Sequence, residues 1–272
     1  MKVAYIADAR SAIAQSWIRH FIDAGHEVHV LSAYPCTPAV LSGAKIYQFP
    51  IAFSQLSRIG HNGTVDSQPS RTLLSRGLAS LRSGALSQLS TTIVPWAASF
   101  EIRHHVRAAR ELINHIAPDL VHAMRIPFEG ILAGGATPKG MPLLISVWGN
   151  DFTLFANRNP LIALQTRDSL RRADGLLCDC RRDLEIARRA LSFGMSKLAV
   201  VLPGGGGIQS SIFYPGKAET ALRHQLSIPD DSTIIINPRG FRAYVRNDVF
   251  FRAIPRVLRQ FPKAVFICPG MQ

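Results

Sequence analysis

A doubly wound α/β fold, with a parallel sheet and helices on both of its faces, is what this sequence predicts. Three observations carry the prediction: short apolar runs of strand length, segments of helical apolar spacing between them, and Gly or Pro at the joints. The 272 residues suit one large domain, or one domain and a piece of another. With 47% apolar and 18% charged residues, the chain has enough apolar material for a substantial core and too little charge for global disorder.

The first element is Lys2 to Ala7 (KVAYIA), an apolar run that reads as a buried parallel strand. From Ser11 to Ala24, Ile13, Trp17, Ile18, Phe21 and Ile22 recur at helical spacing. Gly25 stops that helix, and Glu27 to Ser32 (EVHVLS) is a second strand. Strand, helix, Gly and strand within about thirty residues make a βαβ unit.

The pattern then recurs. Glu101 to Ala117 is helical, Pro118 breaks it, and Leu120 to Ala123 is a strand. A helix over Phe128 to Ala136 leads to the strand Pro142 to Val147, and the helix Leu161 to Ala173 to the strand Gly175 to Asp179. The helix Arg181 to Leu191 and the strand Lys197 to Leu202 close the series.

Pro203 to Gly216 (PGGGGIQSSIFYPG) breaks the alternation and is the best linker in the chain. The expected division is a first domain over 1–202, a linker over 203–216 and a partial second domain over 217–272. The second domain offers a short helix around Glu219 to Gln225, a strand Thr233 to Ile236, a helix Asn247 to Gln260 and a strand Ala264 to Cys268. Two strands do not bury a doubly wound core by themselves, so this domain is expected to start here and not to finish.

Phe53 to Trp96 is the least regular segment, Ser-rich and with Arg58, Arg71, Arg76 and Arg82 against the single acid Asp66. Its leucines and arginines between Ser70 and Leu89 fit a basic amphipathic helix, either a membrane-surface contact or an ordinary surface helix within a long loop.

No run approaches eighteen apolar residues, and the first 32 residues lack the features of a signal peptide. A cytoplasmic protein is therefore expected. The net charge of +13 favours phosphate-bearing ligands or an anionic membrane leaflet, unless it reflects only an Arg-rich composition. Nucleic acid is disfavoured, because the basic residues form no single stripe with interleaved aromatics. Cys178 and Cys180 are too close for an ordinary disulfide and, with Cys36 and Cys268, read as reduced thiols; no metal site is expected.

In doubly wound sheets, ligands bind at the carboxyl ends of the strands. The first such end is Asp8-Ala9-Arg10-Ser11, where Ser11 can cap the next helix and Arg10 can meet an anion. It lacks GxGxxG, which disfavours dinucleotide binding. His122 and Arg125 follow a second end. Trp148-Gly149-Asn150-Asp151 follows a third, with Gly149 allowing close backbone approach, Asp151 suited to sugar hydroxyls or to capping, and Trp148 suited to stacking on a pyranose. The run Gly204 to Gly207 offers backbone N–H groups for phosphate, although a hinge fits it better because no Lys-Ser/Thr follows. Arg239, Gly240 and Arg242 follow the first strand of the second domain, where an arginine suits a diphosphate.

The order D-x-R-S…W, GHEVHVLS, PDLVHAMR, PLLISVWGND, VVLPGGGGIQSSIFYPG and IIINPRGF resembles the family 4 glycosyltransferases nearly from end to end. That resemblance implies a GT-B architecture of two Rossmann-like domains, with the acceptor on the first and a nucleotide diphosphate sugar held mainly by the second. It implies transfer with retention, no separate cofactor and no metal. It places Gly149 and Asp151 near the sugar, with Asp151 as the catalytic candidate, and Arg239 on the donor diphosphate. Asp8, Arg10, Ser11, His122, Arg125, Trp148 and Asn150 complete the expected substrate-side set, and Gly240 and Arg242 the donor-side set.

Three departures qualify the resemblance. The family's second His in the strand-end loop is Met124 here, and the Lys after the diphosphate Arg is replaced by Arg242 or Arg246 at best. Its Glu-x7-Glu pair is absent, since the last Glu is Glu219. The parent function expected is hexose transfer from a nucleotide diphosphate sugar to a glycan, lipid-linked or small-molecule acceptor, with little or no activity in this chain. The alternative is a non-catalytic fragment that binds an acceptor or the inner face of the cell membrane.

Overall fold

The computed structural model describes residues 1–49, 87–126, 128–156, 159–203, 207–208, 210–216, 220–240 and 245–270. They fall into two compact units, Met1–Ile208 and Gln209–Gln272.

In the first unit, Lys2–Ala7 forms β1, and every residue from Val3 onward is buried. A strand covered on both faces needs apolar residues at consecutive positions, and KVAYIA supplies them. Its side chains divide between the faces: Val3, Tyr5 and Ala7 enter one core cluster, Ala4 and Ile6 the other. Helix α1 (Ala12–Asp23) packs into the first cluster through Ala14 and Ile18, with Trp17 and Phe21 at its margin. Ser11 caps α1 by accepting from the Ala14 amide at 3.5 Å, and Gly25, at φ 79°, turns the chain out of it. Strand β2 (Glu27–Ser32) then runs parallel to β1, Lys2 opposite Glu27.

The unit continues with β3 (Ala44–Gln48), α2 (Ser87–Ile116), β4 (Leu120–Ala123), α3 (Phe128–Ala136) and β5 (Leu143–Val147). It ends with α4 (Pro160–Arg172), β6 (Gly175–Cys178), α5 (Arg181–Ala190) and β7 (Leu198–Val201). The seven strands are parallel, in the order β3-β2-β1-β4-β5-β6-β7, so the winding reverses between β1 and β4. Ile113 of α2, Leu132 of α3 and Leu170 of α4 belong to the second core cluster. Helices α3 and α4 approach closely at Gly134, where an added Cβ would stand 2.8 Å from the Ser169 Cα. Asn159 caps α4 by accepting from the Ile162 amide at 2.8 Å, and Pro160 opens its first turn.

The predicted elements of this unit are present within a residue or two at most ends, with one large exception: α2 starts at Ser87 rather than Glu101. The amphipathic helix expected over Ser70 to Leu89 lies outside the described residues up to position 86. Strand β3 and a one-turn π-helix over Asp151–Phe155 are additions to the sequence reading. Strand β3 is an edge strand whose residues are only half-buried or exposed, and such a strand has no buried apolar run to reveal it.

The second unit contains α6 (Thr220–Gln225), β8 (Ile234–Ile236), α7 (Asn247–Gln260) and β9 (Val265–Ile267). Strands β8 and β9 pair in parallel, Ile234 opposite Val265. Phe250 of α7 meets Phe266 of β9 edge to face at 5.9 Å.

Candidate functional site

A sheet whose winding reverses between β1 and β4 opens a crevice beyond their carboxyl ends, because the chain leaves these two strands in opposite directions. The expected first-unit residues come from three neighbouring stretches at that edge, at the ends of β1, β4 and β5, and the loop after β6 adjoins them.

After β1, Asp8 holds Arg10 on three sides. Its Oδ1 accepts from the Arg10 amide and Nε, each at 3.0 Å, and its Oδ2 accepts from Nη2 at 3.1 Å. The guanidinium carbon lies 4.3 Å from the centre of the Tyr34 ring, so one face of the group is covered. With 39% of its side chain exposed, Arg10 is fixed yet accessible. Tyr34 was not anticipated from sequence. Burial, with Glu129 and Asp8 nearby, pushes its hydroxyl up to about 12.

After β4, Arg125 donates to Asp151 Oδ1 through Nη2 at 2.6 Å and Nε at 3.2 Å. The other oxygen, Oδ2, accepts from the Trp148 amide at 3.1 Å. Asp151 is fully buried, whereas 42% of the Arg125 side chain is exposed. Burial raises the Asp151 pKa against the opposing pull of Arg125 and the backbone donors. Burial also works against the charge on Arg125, but Asp151 outweighs it and holds the guanidinium above its usual range. The sequence reading offered Asp151 to sugar hydroxyls; in the structure both of its oxygens face protein donors.

His122 lies within the core instead of at the rim. It is 2% exposed, its Nε2 lies 2.7 Å from Ser146 Oγ, and its ring packs 5.3 Å from Tyr5 and 6.2 Å from Trp17. Burial pulls it down to about 3, so it is neutral at physiological pH. Trp148 likewise is partly buried against the β1–α1 cluster, with its indole Nε1 enclosed and unpartnered. Its burial leaves less of the ring for pyranose stacking than an exposed tryptophan would offer.

Gly149 adopts φ +55°, a backbone that side chains disfavour. Its N–H donates to Asp179 Oδ2 at 2.6 Å and its carbonyl accepts from Arg182 Nη2, so the turn after β5 is tied to the β6–α5 loop. The Asn150 carbonyl accepts from the Leu154 amide at 2.8 Å, and the Asp151 carbonyl accepts from the Ala156 amide at 3.0 Å to make the π turn. Glu129, in the first turn of α3, is 3% exposed and was not anticipated either. Burial pushes its carboxyl up to about 7 against Arg125, and Asp151 and Asp8 add to the rise. Above that pH, three carboxylates surround two guanidinium groups, and below it the charges balance.

In the second unit, the exposed Arg239 has its amide on Asn237 Oδ1 at 3.3 Å, and Gly240 adopts φ +63°. The Gly240 carbonyl accepts from Asn247 Nδ2 at 3.0 Å, and Asn247 Oδ1 meets Asn237 Nδ2 at 3.3 Å. These two asparagines shape the loop and were missed by sequence reasoning, whose attention went to its arginines. Arg242 lies outside the described residues.

These features define a Rossmann-like α/β protein with a charged edge at the switch point of its larger sheet. The family model described as "Glycosyl transferase 4-like" matches residues 77–180. No curated protein sequence matches the chain. Among solved structures, sucrose-phosphate synthase from Thermosynechococcus elongatus is 12% identical with a TM-score of 0.51, covering 100% of this chain and 71% of that one. UDP-GlcNAc 2-epimerase from Neisseria meningitidis, bound to UDP-GlcNAc, is 14% identical with a TM-score of 0.52, covering 99% and 65%. A glycosyltransferase from Rickettsia africae is 11% identical with a TM-score of 0.51, covering 98% and 68%. The chain thus spans about two thirds of the length of these structures. Its fold is of the GT-B type. Among the described residues, no helix is long and apolar enough to cross a membrane.

Proposed function

We propose that this chain supplies the acceptor side, and part of the donor side, of a glycosyltransferase. It moves a hexose from a nucleotide diphosphate sugar to a glycan, lipid-linked or small-molecule acceptor. The observation that supports this reading best is where the family match falls. Residues 77–180 include the ends of β4, β5 and β6, and so include Arg125 and the Trp148–Asp151 turn.

Arg10 and Arg125 each present an accessible guanidinium locked by a carboxylate behind it, an arrangement that binds sugar hydroxyls or phosphate oxygens without further ordering. Asp151, enclosed as it is, acts as a positioning residue that holds Arg125. Ser11 and the Gly149 turn bound the same edge. In the second unit, Arg239 and Gly240, with Arg242, take the donor diphosphate and neutralise it as it departs. Transfer proceeds with retention, and the nucleotide sugar is the only small molecule it consumes besides the acceptor. The net charge of +13 supports work at the cytoplasmic face of an anionic membrane, where phosphate-bearing acceptors gather.

The test is to incubate the chain with UDP-, GDP- and ADP-hexoses and each acceptor class, recording nucleoside diphosphate release and the anomer formed. Little or no turnover is expected from this chain by itself, whereas a nucleoside diphosphate should raise its melting temperature, and Arg239→Ala should weaken nucleotide binding at least about tenfold. If no nucleotide sugar is turned over and no nucleoside diphosphate raises the melting temperature, the reading falls. Acceptor binding without turnover would leave the chain a non-catalytic binding module.

A further inference from the structure

Behind the Gly149 turn lies a group of side chains that the glycosyltransferase reading does not use. Asp179 follows β6, Cys180 is the N-cap residue of α5, and Asp183 lies in the first turn of α5. One ligand atom from each, two carboxylate oxygens and the thiol sulfur, falls within 4.8 Å of the others. The sequence reading missed the group because it looked for Cys and His at zinc-finger spacings. Its neighbour Cys178 points elsewhere in function, since that thiol belongs to the core cluster.

Acidic residues beside a thiol are common and mean little alone. What sets this group apart is two bare, enclosed oxygens. Asp183 is fully buried; Arg182 Nε donates to its Oδ1 at 2.9 Å, and Oδ2 is enclosed with no N–H donor, the Cys180 thiol being the hydrogen-bonding neighbour of this carboxylate. Asp179 repeats the pattern, with Oδ2 taken by the Gly149 amide and Oδ1 enclosed and bare. Enclosed carboxylate oxygens that lack a donor lose their hydration without full replacement, and a cation between them makes up the loss.

We propose that Asp179, Cys180 and Asp183 bind a divalent transition metal of the Zn²⁺ type. A thiolate with two carboxylates suits a borderline ion better than Mg²⁺ or Ca²⁺, which require larger all-oxygen shells. Zn–S of about 2.3 Å and Zn–O of about 2.0 Å put tetrahedral ligand atoms roughly 3.5 Å apart, so the three side chains draw in by about an ångström on loading. The Cys180 thiol gives up its proton to solvent as the Zn–S bond forms. Three anionic ligands exceed the ion's charge by one, and Arg182 on Asp183 together with the N-terminus of α5 balances the excess. Water takes the fourth tetrahedral position. Asp179 and Arg182 grip the two sides of Gly149, so the ion locks the turn that carries Trp148 and Asp151.

The experiment uses the full chain, reduced and stripped with chelator, then loaded with Zn²⁺ or Co²⁺ and desalted. About one equivalent of Zn²⁺ should stay with the wild type and with Cys36→Ser. It should be lost from Cys180→Ser and held at least tenfold more weakly by Asp183→Asn. Co²⁺ should give a near-ultraviolet thiolate charge-transfer band that Cys180→Ser abolishes, and Zn²⁺ should raise the melting temperature of the wild type but not of Cys180→Ser. Circular dichroism confirms folding of each variant, and Cys180→Ser, a partly exposed and nearly isosteric change, carries the test if Asp183→Asn does not fold. Failure of the wild type to retain the ion, or equal retention by Cys180→Ser, overturns the proposal.

Discussion

Burial moves two side chains near the end of β4 in opposite directions, and their effects on stability oppose each other. Glu129 is raised from 4.5 to about 7, so between those values the folded state binds more protons than the unfolded one. Its contribution is present below pH 4.5 and lost as pH rises through 7. His122 is lowered from 6.5 to about 3, so there the unfolded state binds more protons; its contribution is present above pH 6.5 and lost as pH falls through 3. Between pH 4.5 and 6.5 the two slopes offset each other. Glu129→Gln should therefore unmask His122, giving a stability that climbs from pH 3 to 6.5 and then stays flat. At pH 8 that variant should exceed the wild type by roughly 1–3 kcal/mol. His122→Gln should show the reverse, a stability that falls from pH 4.5 to 7. Urea unfolding at pH 5, 6 and 8 checks both, and parallel pH profiles for the two variants would contradict the assignment. The Arg125–Asp151 pair makes a further case. Arg125→Ala leaves a fully buried carboxylate with the backbone amides of Trp148, at 3.1 Å, and Ile126 as donors. It should cost about 2 kcal/mol, less than for a wholly buried pair because Arg125 is partly exposed, and the loss should shrink in Asp151→Asn. At this scale the sequence showed which residues crowd the strand ends, Arg10, Arg125 and Asp151 among them. Asp8 lies two residues from Arg10, a local pairing, but Tyr34 beside Arg10 and Asp151 beside Arg125 are brought together by strand order and not by spacing along the chain.

At the scale of elements, helix α3 is short, with Gly130, Gly134 and Gly135 inside nine residues, a poor composition for a free helix. Packing explains the choice at Gly134. Ala would improve helix propensity there by roughly 0.5–1 kcal/mol. Its Cβ, however, would meet Ser169 at 2.7–2.8 Å, and one of the atoms met is the Ser169 backbone Cα, which no rotamer change moves aside. Overpacking of this kind costs roughly 1–3 kcal/mol, so the clash wins and Gly134→Ala should be net destabilising. Thermal unfolding measures it, and a variant as stable as the wild type would mean that α3 and α4 separate without cost. The same contrast explains what was legible. Strands buried on both faces and helices with a clear apolar stripe announced themselves, and β1, α3 and α7 appear where the pattern put them. Strand β3, at the edge and half-exposed, did not. Nor did the early start of α2, because Ser-rich sequence resembles loop until a long helix carries it.

For the whole molecule, the two units differ in how much they bury. Among the described residues, every buried hydrophobic side chain but Ile228 lies in the first unit. The second unit pairs two strands of three residues each and leaves Ile236 58%, Val249 50% and Phe251 40% exposed. A two-stranded sheet with so little covered surface has little local resistance to opening, whereas β1 is paired on both sides within seven strands. Hydrogen exchange on the full chain should therefore divide at the boundary between the units. Amides of β1, β4 and β5 should exchange only through global unfolding. Those of β8, β9 and α7 should exchange at least about a hundredfold faster, a difference of roughly 3 kcal/mol in opening free energy. The size of the gap matters for function, because Arg239 and Gly240 sit on the less protected unit, and a donor diphosphate that orders them should slow exchange there and leave β1 unchanged. Protection of β8 and β9 equal to that of β1 without ligand would mean that the exposed face of Ile236, Val249 and Phe251 is covered in solution. The Arg239–Gly240 loop would then be rigid without ligand.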